Sequence, residues 1–265
     1  MYIPLRYTYE AKYSKAYVVD QVLLVNVLLA VAATSSDLKS LVSHLACVPV
    51  FVIAFMCVYE IGYFENDMRA ARLEAAPVLG ANVARFADYR IEPFAWISAL
   101  ALSGLGALIA VALNLRSPRD MLIESAIWVG LLAAVRAAFF LYNRLEVGRR
   151  PPLYVLLQLL KYNSVFVLFR PTLFGAVIAA SQVAMMATVY WVYRLGGRQR
   201  TINEETMRLL FACAIAAPLL LAQAGTGLDT PAAAALAITW LVLRLAKPPV
   251  MAALRRRNGP QGSMI

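Results

Sequence analysis

The feature that most constrains this chain is a succession of apolar stretches, each about as long as the roughly 20 residues a helix needs to cross a bilayer. They fall at 17–34, 41–63, 93–114, 121–142, 152–169, 171–195, 207–224 and 231–247. With 62% hydrophobic residues among 265 and a mean hydropathy of +0.67, too little polar surface remains to cover a water-soluble globule. A spanning backbone must satisfy its own hydrogen bonds, so windows of this length read as helices. The sequence therefore predicts an all-α polytopic membrane bundle of about eight (eight to nine) transmembrane helices. Residues 1–250 form a single transmembrane domain, and 251–265 a basic, disordered tail. The first apolar run continues directly into a membrane-length segment without a cleavage pattern, so the N-terminus is expected to be retained.

The net charge of +10 is distributed in alternation with the apolar windows. Arg6, Lys12 and Lys15, then Arg69, Arg72, Arg85 and Arg90, then Arg144, Arg149 and Arg150 fall on one side. Arg194, Arg198, Arg200 and Arg208, then Arg244, Lys247 and Arg255 to Arg257 join them, against Lys39, Arg116, Arg119 and Arg170 opposite. The positive-inside rule places both termini and the loops 64–92, 143–151 and 196–206 in the cytoplasm. This alternation also removes nucleic acid as a partner. Most of these cations orient the protein and meet anionic lipid. Their bias toward Arg suits paired bonds to phosphate oxygens. Cys47, Cys57 and Cys213 lack metal-ligand spacing and read as packing residues.

Charges inside spans are costly and face a protein interior or a watery cavity. Here they are Asp20, Glu60, Arg136 and Lys161, with Glu124 nearer an end. Two readings stay open: they pair with one another, as Asp20 with Lys161 or Glu60 with Arg136, or they serve a site. At the end of the second span Glu60, Asp67 and Glu74 are spaced by seven, so a continuing helix presents them as one carboxylate column beside Asn66, Arg69 and Arg72. Two carboxylates and an amide suit Mg²⁺ shared with substrate phosphates, and the alternative is a solvated helix end.

A second boundary carries Arg136, Tyr142, Asn143 and Arg144. Pro151-Pro152 then starts the next helix and sets Lys161 about three turns below the surface. The third cytoplasmic loop offers Arg198, Asn203, Glu204 and Glu205, as ligands or as the cap of the following helix. His44, the only histidine, lies on an apolar helix toward the outer half, which disfavours a histidine-driven triad.

These residues resemble the UbiA superfamily of intramembrane prenyltransferases, whose NDxxDxxxD signature closes the second helix. Asn66, Asp67 and Glu74 match its first, second and last positions, while Ala70 replaces the middle aspartate and 196–206 lacks the second aspartate-rich motif. The resemblance implies two four-helix halves around a central cavity in a bacterial inner membrane. It also implies transfer with release of diphosphate. Asn66, Asp67 and Glu74 would hold Mg²⁺, and Arg69, Arg72 and Arg144 would neutralise phosphates. Lys161 or Arg136 would position a lipid phosphate, with Glu60, Tyr142, Asn143, Arg198 and Asn203 lining the substrate site.

The reaction favoured is phosphoribosyl transfer from phosphoribosyl diphosphate to polyprenyl phosphate, ahead of prenyl transfer to an aromatic acceptor. The partners are then a polyprenyl lipid, a phosphate-bearing small molecule and, optionally, further copies of the chain. A small transporter or flippase using the buried charges, and a non-catalytic membrane subunit, are the rival classes.

Overall fold

The computed structural model describes residues 2–12, 22, 25–73, 79–80, 82–194 and 203–222. Seven α-helices organise them: α1 (Leu28–Thr34), α2 (Leu38–Leu73), α3 (Glu92–Ala112), α4 (Pro118–Arg144), α5 (Pro151–Asn163), α6 (Leu173–Arg194) and α7 (Glu204–Ala222). No strand occurs among the described residues. Four helices, α2, α3, α4 and α6, are long and apolar enough to cross a membrane, so the chain is read as a membrane protein. The expected first span lies partly, and the expected span 231–247 wholly, outside the described residues.

Local chemistry sets the helix starts. Asp37 caps α2 by accepting the Ser40 amide at 2.7 Å. Ser117 caps α4 by accepting the Asp120 amide at 3.1 Å, with Pro118 in the first turn. Pro151-Pro152 opens α5 as the sequence indicates. The window 152–169 is not one helix, however: α5 ends at Asn163 and Ser164–Val167 tightens into a 3₁₀ turn. In α2 the helix runs on past the expected 41–63 to Leu73, at least ten residues beyond the apolar window.

The long α2 is the spine, packed against α1, α3 and α4. Glycine permits the closest approaches. A Cβ at Gly62 would overlap the Phe139 ring on α4, and one at Gly175 would overlap the Ala33 backbone. Trp128 is fully buried, and its indole donates to Ser103 Oγ at 2.8 Å. Phe94, Ile97, Leu105 and Leu108 of α3 with Leu122, Ile123 and Ile127 of α4 are exposed, as an apolar surface meeting lipid would be.

The helices gather their connections at two ends. At one, Thr172 N donates to Ala33 O at 2.8 Å, and Arg116 joins Leu168 O and the Glu124 carboxylate. His44 is buried there beside Phe169, its Nδ1 3.2 Å from the hydroxyls of Thr34 and Ser35, which is a core histidine with partners. The opposite end holds the N-terminal segment, the 82–91 loop and the α4–α5 turn.

Candidate functional site

The last four turns of α2 present three faces to three surroundings. Tyr59, Tyr63 and Asn66 line a cavity of about 390 Å³. Glu60 and Asp67 meet the N-terminal segment. Glu65, Arg69 and Arg72 border a surface groove of about 890 Å³. Helical spacing does put Glu60 and Asp67 on one face, but that face is covered.

Glu60 is fully buried and accepts three hydrogen bonds: from the Tyr2 hydroxyl at 3.0 Å, the Leu5 amide at 3.1 Å and the Thr8 amide at 2.7 Å. The pairing of Glu60 with Arg136 is therefore not what forms. Arg136 instead binds Glu65 at 2.6 Å and Glu92 at 2.8 Å, tying α4 to α2 and to the first turn of α3. Already paired on two sides, its guanidinium is poorly placed to be the substrate ligand that the sequence offered. Asp67 is 2% exposed, and its Oδ2 accepts the Tyr7 hydroxyl at 2.6 Å. Tyr7 also packs edge-on to Phe64 and Phe86, and burial followed by the Asp67 carboxylate holds its hydroxyl well above the ordinary tyrosine range, so it remains a donor. Leu5 sits at φ 64°, a conformation costly for leucine that persists only where surrounding contacts fix it. Residues 2–8 thus form a clasp on two carboxylates.

This arrangement does not fit a preformed Mg²⁺ centre at the Asn66–Asp67 turn. One Asp67 oxygen is occupied by Tyr7 and the other accepts the Asn66 amide at 3.3 Å. Among the described residues no three His, Cys, Asp or Glu side chains converge, and Glu74 lies outside them. Of the expected column of three carboxylates, the two that are described face their own chain.

The cavity is built by five helices, with four others joining α2. From α5 come Tyr154, Gln158 and Lys161, one face of a helix whose start Pro151 fixes; from α4, Phe139 and Tyr142; from α6, Tyr190; and at its mouth stands Glu204 of α7. Tyr154 and Tyr190 stack at 3.9 Å, and the Tyr142 and Tyr190 hydroxyls are 3.2 Å apart. Lys161 is 7% exposed, with its Nζ 5.6 Å from the Tyr59 ring and 5.2 Å from Tyr162. It forms no ion pair among the described residues; Asp20, its expected partner, lies outside them.

Asn66 belongs both to this cavity and to a smaller hollow of about 220 Å³ with Arg69, Arg144 and Arg150. Arg69 and Arg144 continue into the groove, where they meet Arg72, Arg90 and Asn143. The structure thus brings together Asn66, Lys161 and Tyr142, and next to them Arg69, Arg72, Asn143 and Arg144. Asn203 is spent as a cap, its Oδ1 accepting the Thr206 amide at 3.1 Å, and Arg198 lies outside the described residues.

Sequence reading missed Tyr59, Tyr63, Tyr154, Gln158 and Tyr190, and the clasp of Tyr2, Tyr7 and Thr8. The spacing of Gln158 with Lys161, three apart on one helix, was the available signal. Arg208, read in the sequence as one of the orienting cytoplasmic cations, is instead almost fully buried and donates from Nε to Gln182 Oε1 at 2.6 Å. Comparison with family models, curated proteins and solved structures finds no match.

Proposed function

We propose that this chain is a UbiA-like integral membrane transferase of about eight spans in two halves, with both termini cytoplasmic. It joins a polyprenyl lipid to a small polar partner with release of diphosphate. The reaction we favour is transfer of phosphoribose from phosphoribosyl diphosphate to polyprenyl phosphate. The observation that carries the reading is the placement of cations from inside to outside: Lys161 within the cavity, then, past the neutral Asn66 shared by both hollows, Arg69, Arg144 and Arg150 at its edge.

Such a gradient suits two anions held at two depths. The lipid phosphate meets Lys161, and the donor's diphosphate meets the arginines, whose planar forks match phosphate oxygens. As the sugar C–O bond breaks, its electron pair leaves with the diphosphate, and an oxygen of the acceptor phosphate bonds to the cation-like carbon. Fixed positive charge where negative charge grows stabilises that transition state. Mg²⁺ fits best as an ion carried in on the diphosphate, since it keeps much of its water and is readily shared with substrate phosphates.

The aromatic walls formed by Tyr59, Tyr63, Phe139, Tyr154 and Tyr190 favour one second reading, prenyl transfer to an aromatic acceptor. The test incubates protein in lipid nanodiscs with Mg²⁺, polyprenyl phosphate and phosphoribosyl diphosphate, or with a prenyl diphosphate and aromatic acids. Lipid products are identified by mass spectrometry. A phosphoribosylated lipid, lost in Lys161→Met and in Arg69→Met, is the expected result. A prenylated aromatic selects the second reading, and failure of the wild type to bind either diphosphate, with or without metal, overturns both. Single cysteines at Glu146 and Asn114, in a background lacking the native three, should label from the cytoplasm and from outside respectively.

A further inference from the structure

Gln158 is 3% exposed, lines the Lys161 cavity, and its Oε1 has no hydrogen-bond partner among the described residues. A buried acceptor left unpaired is costly, and it asks for a donor. It stands three residues before Lys161 on α5, so the free acceptor and the buried ammonium are neighbours on one helix face. The only carboxylate lining the cavity among the described residues is Glu204, at an exposed position at the start of α7.

From this pairing we infer that the cavity selects a phosphate monoester in its singly charged form and discriminates against phosphate diesters. The inference rests on the proposed lipid-phosphate reading and deepens it. A monoester monoanion carries both an ionised oxygen and a P–OH. The ionised oxygen meets Lys161, a compact single charge, and the P–OH donates to Gln158 Oε1. A diester such as an ordinary phospholipid is equally anionic but has no P–OH, so it leaves Gln158 unpaired. In water a monoester loses its second proton near pH 6, but desolvation favours the singly charged form where Lys161 is the one cation in the lining and Arg150 and Arg194 stand outside it, over the Tyr142 and Tyr190 rings at 5.4 and 4.9 Å. The selection has a purpose that charge alone cannot serve. In a bilayer the acceptor lipid competes with a vast excess of diester headgroups, and Lys161 by itself would attract both.

The test measures binding to the full-length protein in nanodiscs of neutral lipid, using a short-chain isoprenyl monophosphate and its methyl phosphodiester, with no donor present. The wild type is expected to bind the monoester about tenfold more tightly than the diester, the factor set by one unpaired buried acceptor. Gln158→Leu should erase that preference by weakening the monoester alone, and Lys161→Met should abolish binding of both. Equal affinity of the wild type for the two probes overturns the inference, and needs no variant to fold. Lys161→Met that still binds the monoester overturns the lipid-phosphate reading itself. If the preference persists in Gln158→Leu at an unchanged melting temperature, only the assignment to Gln158 fails. Competition by inorganic phosphate at the monoester's own concentration range would keep the monoester chemistry and assign the cavity to a soluble ligand; absence of competition assigns it to the lipid.

Discussion

Removing one oxygen from Tyr7 separates a carboxylate that anchors the chain from one that holds a metal. In the clasp, the Tyr7 hydroxyl donates to Asp67 Oδ2 at 2.6 Å, with Tyr7 1% and Asp67 2% exposed. Hydrogen bonds to charged groups are worth about 1.5–3 kcal/mol, and solvent can scarcely reach either group to replace the lost donor. Tyr7→Phe keeps the edge-on packing against Phe64 and Phe86, so its cost should be the bond itself, about 2 kcal/mol. Because the Leu5 and Thr8 amides sit on Glu60 within the same segment, their hydrogen exchange reports release of the clasp. Their protection should fall by about tenfold or more in Tyr7→Phe. Asp67→Asn should produce a similar loss, and the double variant little beyond either single one, since both remove the same interaction. The reasoning is refuted if the two losses add in full. It is refuted equally if Mg²⁺ stabilises the wild type by an amount that Asp67→Asn abolishes, because that assigns Asp67 to the metal.

Two further outcomes follow from the geometry. Gly62→Leu forces a branched side chain into the Phe139 ring, so α2 and α4 must separate; the expected loss is about 1–3 kcal/mol, read as a lower melting temperature, whereas Gly104→Leu, which faces open space, should be near neutral. Asp37 is held below the ordinary aspartate range chiefly by the Ser40 amide, so its contribution is present above the unfolded value of about 4 and is lost as pH falls through the lowered folded value. Asp37→Asn keeps a capping oxygen and should flatten that acid limb of the stability profile, measured by thermal melting from neutral pH downward.

How much of this was legible in the sequence differs by kind of feature. Membrane character was, because length and apolarity are properties of a segment taken alone, and α2, α3, α4 and α6 all fall on apolar windows. The start of α5 was legible for the same reason, since a proline in the first turn acts locally. The end of the fifth window was not: nothing in its apolarity marks Asn163 as the point where the helix tightens.

The site divides along the same line. Heptad spacing correctly put Glu60 and Asp67 on one face, and depth correctly buried Lys161, because helix geometry fixes both. Which neighbour each face meets is a tertiary fact, and the sequence held two rival bidders for the carboxylates: a metal, and the tyrosines and amides of residues 2–8. Magnesium suggested itself because the seven-residue spacing of Glu60, Asp67 and Glu74 makes a carboxylate column with Asn66 beside it, yet adjacent residues on a helix turn their side chains about 100° apart. The adjacent pair is therefore split, with Asn66 in the cavity and Asp67 under Tyr7. The same rule, applied to positions three apart, puts Gln158 beside Lys161. A buried cation and an unpaired acceptor at that spacing form a better guide to the ligand than the acidic motif, because among the described residues Lys161 has only ring faces and Gln158 Oε1 no donor, whereas the carboxylates already hold their hydrogen bonds.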